Sequence, residues 1–238
     1  MTCFLTSSPC VAGEAKLNPA NGFVDRLHDA LPRVCSALFV CSDPDGAEWT
    51  DRFAGDMYDA FTDAGFTFSS YEVLDRRTQD SAAELIAGAE LIILAGGHVP
   101  TQNRFFQQIG LRGLLADFPG VIIGISAGTM NSADTVYAHP ELSGEAVDPD
   151  YERYLPGLGL TQRMVLPHYQ QVCDSELDGL RLFEDIAYPD SMGNEFFALV
   201  DGSYIYSENG EELLFGEAYL IKDGEMEQIS AEGECIGL

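Results

Sequence analysis

Lysine is almost missing from this sequence. Its 238 residues include only Lys16 and Lys222, and 12 lysines and arginines together face 39 aspartates and glutamates, for a formal net charge of -27. A surface so poor in cations repels phosphate backbones and anionic headgroups, which argues against nucleic acid and membrane partners. The same excess of one sign keeps a chain soluble. No apolar run approaches the roughly 18 residues that a membrane-spanning helix needs. The six cysteines form no C-x-x-C pair and no Cys/His group with zinc spacing, so neither a metal nor another cofactor is expected. Several lie in apolar runs, as Cys41 does after Ala37-Leu38-Phe39-Val40. That placement suits buried free thiols in a reducing compartment. The first residues lack a basic segment followed by an apolar one, so the expected location is cytoplasmic.

What is present reads as one α/β domain over residues 1–238, with no internal repeat and no linker. Apolar runs of strand length alternate with amphipathic stretches. Phe4 to Thr6, Ala37 to Cys41 and Phe66 to Tyr71 read as strands. Phe23 to Leu31 (with Asn21 as cap), Glu48 to Ala64 and Ser81 to Ala87 read as helices. In the second helix the apolar stripe is Trp49, Phe53, Met57, Ala60 and Phe61. Two strands, Leu91 to Ala95 and Val121 to Ile125, are apolar on both faces with a helix from Gln102 to Ala116 between them. Such strands belong to a parallel sheet covered on both sides, a three-layer, mostly parallel arrangement with helices on both faces. Residues 139–160 are rich in proline, glycine and acids and read as a loop, a lid or a rim. Ser175 to Ile186 reads as helix. From Glu195 onward short strands separated by Asp201-Gly202, Asn209-Gly210 and Asp223-Gly224 form a C-terminal β meander that extends or flanks the sheet.

The chemistry concentrates at Gly124-Ile125-Ser126-Ala127-Gly128. A G-x-S-x-G run directly after an apolar strand is the nucleophile-elbow pattern, which lifts the serine off the C-terminal end of a strand. Open parallel sheets bind their ligands at that edge. The following residues, Ala127 to Tyr137, read as a helix whose first N–H groups favour an oxyanion beside Ser126. A serine nucleophile needs a base. His28 reads as a surface residue of the first helix, and His139 opens the acidic loop. His98 follows Gly96-Gly97 at a strand end, and His168 ends the apolar run Met164-Val165-Leu166-Pro167. Position alone leaves His98 and His168 as competitors. The orienting carboxylate is equally open: Asp201 ends the apolar run Phe196 to Val200, while Asp134 and Glu141 follow the elbow.

Taken together, these residues resemble peptidase family S51, the peptidase E (aspartyl dipeptidase) and cyanophycinase group within the class I glutamine amidotransferase-like fold. The resemblance spans about residues 35–207. It rests on Leu94-Ala95-Gly96-Gly97-His98, on the elbow, and on Leu158-Gly159-Leu160 followed by Pro167-His168-Tyr169. It implies Ser126 as nucleophile, His168 as general base, and Asp201 as the triad acid where peptidase E has a glutamate before glycine. It further implies an oxyanion hole from the N–H groups of Gly97 and Ala127, and substrate contacts by His98, which replaces the usual asparagine, and by Arg181. Arg104 and Arg163 are further candidates for an anionic substrate group. The implied activity is hydrolysis of a small peptide or amide, of dipeptidase or exopeptidase type, through an acyl-enzyme. An esterase on the same residues and a non-catalytic binding protein are the competing readings. A glutaminase is disfavoured because no cysteine stands at the elbow. Homodimerisation is left open.

Overall fold

A computed structural model describes residues 1–238. The main sheet has eight strands. Five are mutually parallel: β1 (Thr2–Thr6), β2 (Val34–Val40), β3 (Thr67–Leu74), β4 (Leu91–Leu94) and β5 (Val121–Ile125). Three from the C-terminal part add antiparallel beside β1: β12 (Tyr204–Glu208), β13 (Glu211–Phe215) and β16 (Cys235–Gly237). The spatial order is β16-β13-β12-β1-β5-β4-β2-β3.

Alternation along the strands builds two core layers. Leu5, Leu38, Val40, Ile92, Leu94 and Ile122 point to one face. There they meet α3 (Ala82–Gly88), α4 (Val99–Gln108) and α5 (Leu111–Leu115). Phe4, Phe39, Leu91, Ile93 and Ile123 point to the other face and meet α1 (Phe23–Ala30) and α2 (Ala47–Asp63). Each layer removes a contiguous apolar surface from water, the main favourable contribution to such a fold. No helix is long and apolar enough to cross a membrane.

Between the elbow and the C-terminal strands lie two short antiparallel partners, β6 (Thr135–Tyr137) and β7 (Tyr154–Pro156). A second sheet of four strands has the order β15-β14-β11-β8. It is made of β8 (Met164–Leu166), β11 (Glu195–Leu199), β14 (Ala218–Lys222) and β15 (Glu225–Ser230). Its apolar face packs Leu166, Phe196 and Ala198 against Ala127, Met130 and Tyr137, the residues just after the elbow. The C-terminal meander is therefore divided between two sheets.

Several local expectations change for identifiable reasons. Ser175 to Ile186 is not a helix. Asp178 and Gly179 take positive φ (53° and 81°) and make a two-residue turn between β9 (Glu176–Leu177) and β10 (Leu180–Arg181). An Asp-Gly pair of this kind favours a hairpin over a helix. Only Leu182–Ala187 then coils, as a π-helical segment. After the elbow the helix lasts a single turn, α6 (Ala127–Met130). Ser132 ends it by donating its hydroxyl to the Gly128 carbonyl (2.7 Å), and Thr135-Val136-Tyr137 then runs as strand. Gly110, at φ 65°, breaks the helix expected over Gln102 to Ala116. On α2 the buried stripe is Thr50, Ala54, Met57, Ala60 and Phe61, while Trp49 is exposed and stacks with Arg52.

The elbow is clamped by close approach. A Cβ on Gly128 would overlap the carbonyl oxygen of Leu94, and one on Gly124 would lie 2.8 Å from the Thr129 Cα. Gly128→Ala is therefore expected to cost about 3 kcal/mol through forced backbone displacement. Urea denaturation compared with Gly113→Ala, where the added Cβ meets open space, checks it.

Candidate active site

Three adjacent parallel strands end together. Thr6 on β1 pairs with Ile125 on β5, and Gly124 pairs with Leu94 on β4. The residues that follow these ends, Ser7, Ser126 and Gly96-Gly97, therefore converge at the C-terminal edge of the sheet.

Ser126 sits at φ 50° and ψ -109°. A non-glycine residue there carries backbone strain on the order of 1–3 kcal/mol. The strain is held by the Ser126 N–H bond to the Thr6 carbonyl (3.2 Å) and by the packed turn beneath. Gly96 faces it so closely that a Cβ there would lie 3.4 Å from the Ser126 Cβ. A Cβ on Gly97 would overlap Ser42. The N–H groups of Gly97 and Ala127 have no acceptor within the protein.

His168 comes from the second sheet, just past β8 and Pro167, and takes a left-handed conformation (φ 59°) ahead of α7 (Tyr169–Val172). Its Nδ1 lies 2.7 Å from Asp201 Oδ1. A carboxylate can only accept, so Nδ1 carries a proton, and the neutral ring has its lone pair on Nε2. Asp201 occupies the turn between β11 and β12. Oδ1 also accepts from the Ser7 hydroxyl (2.7 Å), and Oδ2 accepts from Gln171 Nε2 (2.6 Å). Burial pushes the Asp201 carboxyl up, but the hydrogen bonds from His168 and Ser7 outweigh it and hold the group below the usual aspartate value. The fully buried Ser7 acts twice, because its Oγ also accepts the His168 backbone N–H (2.7 Å). The side-chain and backbone N–H groups of His168 thus bond to Asp201 and Ser7, and no bond joins the ring to Ser126 Oγ.

Ser7, Gln170 and Gln171 were not anticipated. The one available signal for Ser7 was its place immediately after an apolar strand in a sheet read as parallel.

The other candidates lie elsewhere. His98 precedes α4, with Nδ1 2.8 Å from Thr101 Oγ1 and Nε2 2.9 Å from Glu145 Oε1. With Arg104, Glu145, Asp148 and Asp150 it lines a cleft of about 500 Å³. Arg181 is on β10, exposed, and forked onto Asp185 (2.9 Å for both bonds). It contributes to none of the clefts around His98 or His168. Arg163 pairs with Glu212 (2.9 Å), and Asp134 with Arg112 (2.7 Å). His28 is half-buried, stacked on Phe66 at 4.4 Å. Glu141 lies 3.8 Å from His139 Nδ1, not beside His168. Burial raises Glu141 to about 8, with nearby Glu145 adding to the effect. Burial likewise lowers His139 to about 4, and Arg153 contributes. No group of three or more His, Cys, Asp or Glu side chains is placed to hold a metal.

Comparison with known proteins agrees with this architecture. The profile of peptidase family S51 matches residues 3–213. A peptidase from an acI-B1 Actinobacterium is similar in structure over 100% of this chain and 96% of its own, with a TM-score of 0.65 and 18% identity. A putative peptidase E protein from Listeria monocytogenes EGD-e is similar over 96% of this chain and 98% of its own, with a TM-score of 0.61 and 15% identity. No curated protein matches the sequence. The fold is that of the peptidase E-like proteins, a mostly parallel α/β sheet covered on both faces. The chain belongs to peptidase family S51.

Two expectations follow. Strain at Ser126 makes Ser126→Gly more stable than Ser126→Ala by about 1 kcal/mol, since glycine alone adopts this φ freely. Thermal unfolding of the two variants measures it. Glu141, with a folded-state value above its unfolded one, stabilises the fold most at low pH and loses that contribution as pH rises from about 4.5 towards about 8. Glu141→Gln should therefore gain stability relative to wild type over that interval, on the order of 2 kcal/mol for this largely buried group. Urea titrations at pH 5 and pH 8 give the difference directly.

Proposed function

We propose that this chain is a serine peptidase that hydrolyses a small peptide or amide through Ser126, His168 and Asp201. The observation that carries the reading is the Asp201–His168 bond, which fixes the imidazole tautomer, at the same sheet edge as a strained serine. Ser126 Oγ attacks the scissile carbonyl as His168 Nε2 takes its proton. The negative oxygen that forms is received by the N–H groups of Gly97 and Ala127, whose lack of any other acceptor suits that role. Because α6 is only one turn long, these are individual donors and not the end of an extended helix dipole. His168 then protonates the departing amine. Water, deprotonated by the same nitrogen, displaces Ser126 and releases the acid product. Asp201 stays ionised throughout and stabilises the imidazolium. Contact between serine and base tightens when substrate fills the gap, as in resting hydrolases generally.

An exopeptidase acting on short substrates is the finer form of this proposal, with His98 and the cleft it lines receiving the acyl side. The chemistry proposed calls for no cofactor.

A fluorophosphonate probe should label wild type at one residue and leave Ser126→Ala unlabelled. Asp201→Asn should retain the fold and lose about 10³–10⁴-fold in kcat, because the amide permits the wrong histidine tautomer. Unchanged labelling of Ser126→Ala, or full activity in that variant on amide substrates, would remove Ser126 from the mechanism.

A further inference from the structure

His168 is tied back to itself through two other residues. Its backbone N–H donates to Ser7 Oγ, Ser7 Oγ donates to Asp201 Oδ1, and the same Oδ1 accepts from the imidazole at Nδ1, each bond 2.7 Å long. The three bonds close a ring that starts and ends on one residue. Only χ1 and χ2 separate the His168 backbone from its imidazole, and the closed ring holds both. The sense of the bonds is fixed as well. A carboxylate only accepts, so the single Ser7 proton points to Asp201 and a lone pair is left for the His168 N–H. A hydroxyl that accepts one bond while donating another strengthens both.

Ser7 is a firm anchor for this ring. It is fully buried, and its backbone N–H donates to the Ser203 carbonyl (3.2 Å). It follows Thr6, whose carbonyl accepts the Ser126 N–H (3.2 Å). His168 stands at φ 59°, a left-handed conformation that costs a non-glycine residue on the order of 1 kcal/mol. The bond to Ser7 offsets part of that cost. Ser7 also bears on charge. Burial raises the Asp201 carboxyl, and the bonds from His168 and Ser7 more than offset that rise. One carboxylate oxygen serves both the Ser7 proton and the imidazole, so loss of Ser7 leaves more of the negative charge to His168.

We propose that Ser7 is a positioning residue for the hydrolytic reaction: its one hydroxyl locks the rotamer of His168 and sets the charge that the imidazole meets at Asp201. The inference rests on the Ser126–His168–Asp201 reading and goes beyond it by giving a residue outside the triad a part in both the rate and its pH dependence. A serine that only joined the two sheets would change stability and leave the pH dependence where it was.

The test follows the rate at which a fluorophosphonate labels Ser126 across about pH 5 to 9. The rate rises to a plateau as the base loses its proton. Ser7→Ala is expected to lower the plateau at least about tenfold, because the imidazole is no longer held on line. It is also expected to move the midpoint up by about 0.5 pH unit or more, because the imidazolium gains the charge that Ser7 released. Gln171→Leu separates the two effects. It removes the donor to Asp201 Oδ2 (2.6 Å) and leaves the His168 backbone bond in place, so the midpoint should rise with a smaller loss of plateau. Ser7→Cys keeps the shape and supplies a weaker hydrogen-bonding group. It should fall between wild type and Ser7→Ala, and it carries the test if Ser7→Ala does not fold. Cys10, Glu14 and Asp56 face His168 and Asp201 across a shared cleft, and they are the same in every variant. A folded Ser7→Ala, or Ser7→Cys in its stead, with the wild-type plateau and midpoint would overturn the assignment. So would a lower plateau with an unmoved midpoint, which marks a purely structural joint. Both results leave Ser126 as nucleophile. Failure of the wild type to label at Ser126 at any pH would instead overturn the serine peptidase reading and the role of Ser7 with it.

Discussion

One buried hydroxyl joins the two halves of this site. Ser7 continues β1 of the main sheet, whereas His168 and Asp201 leave β8 and β11 of the second sheet. Through 2.7 Å bonds, the Ser7 Oγ accepts from the His168 backbone and donates to the Asp201 carboxylate. The main sheet carries Ser126, so this contact sets where the imidazole stands relative to Ser126. A buried hydroxyl with both its donor and one acceptor position used is a strong geometric constraint, because leaving either partner unsatisfied costs its full desolvation. Gln170 and Gln171 brace the same carboxylate from α7, through the Asp201 N–H and Oδ2.

Around that contact the elbow is rigid by exclusion of volume. Gly124, Gly128 and Gly96 each face a neighbour that a side chain would displace or crowd. Packing this close leaves Ser126 no relaxed backbone alternative, so strain persists at the residue whose oxygen must project from the turn. Stability held back at one residue in this way is typical where function sets the geometry.

Much of the fold was legible because burial on both faces leaves an unbroken apolar run. Leu91 to Leu94 and Val121 to Ile125 announce parallel strands, and the glycines after them mark the sheet edge. The C-terminal strands were legible one by one, but not their division between two sheets, since turn residues show where a strand stops and not which neighbour it finds. The segment from Ser175 to Ile186 misled because its apolar spacing suits a helix while Asp178-Gly179 dictates a turn. At the site, strand-end position could not separate His98 from His168. What separates them is partners: His98 turns to Glu145 and Thr101, His168 to Asp201. Ser7 escaped notice because both of its partners lie far along the chain, 161 and 194 positions away. Arg181, which the resemblance implies as a substrate contact, spends its charge on Asp185, four positions along the chain.

That separation in sequence has a consequence for synthesis. β1 pairs with β12, Thr6 opposite Tyr204, and Asp201 lies just ahead of that strand. A ribosome-bound chain that has emerged only as far as the elbow holds the serine and neither the histidine nor the carboxylate that orients it. Pairings of such long range form late, after the loop between them has closed. Under the proposed mechanism, hydrolytic competence therefore arrives with the final strands, and a truncated or half-folded product of this gene carries Ser126 without the base that would activate it.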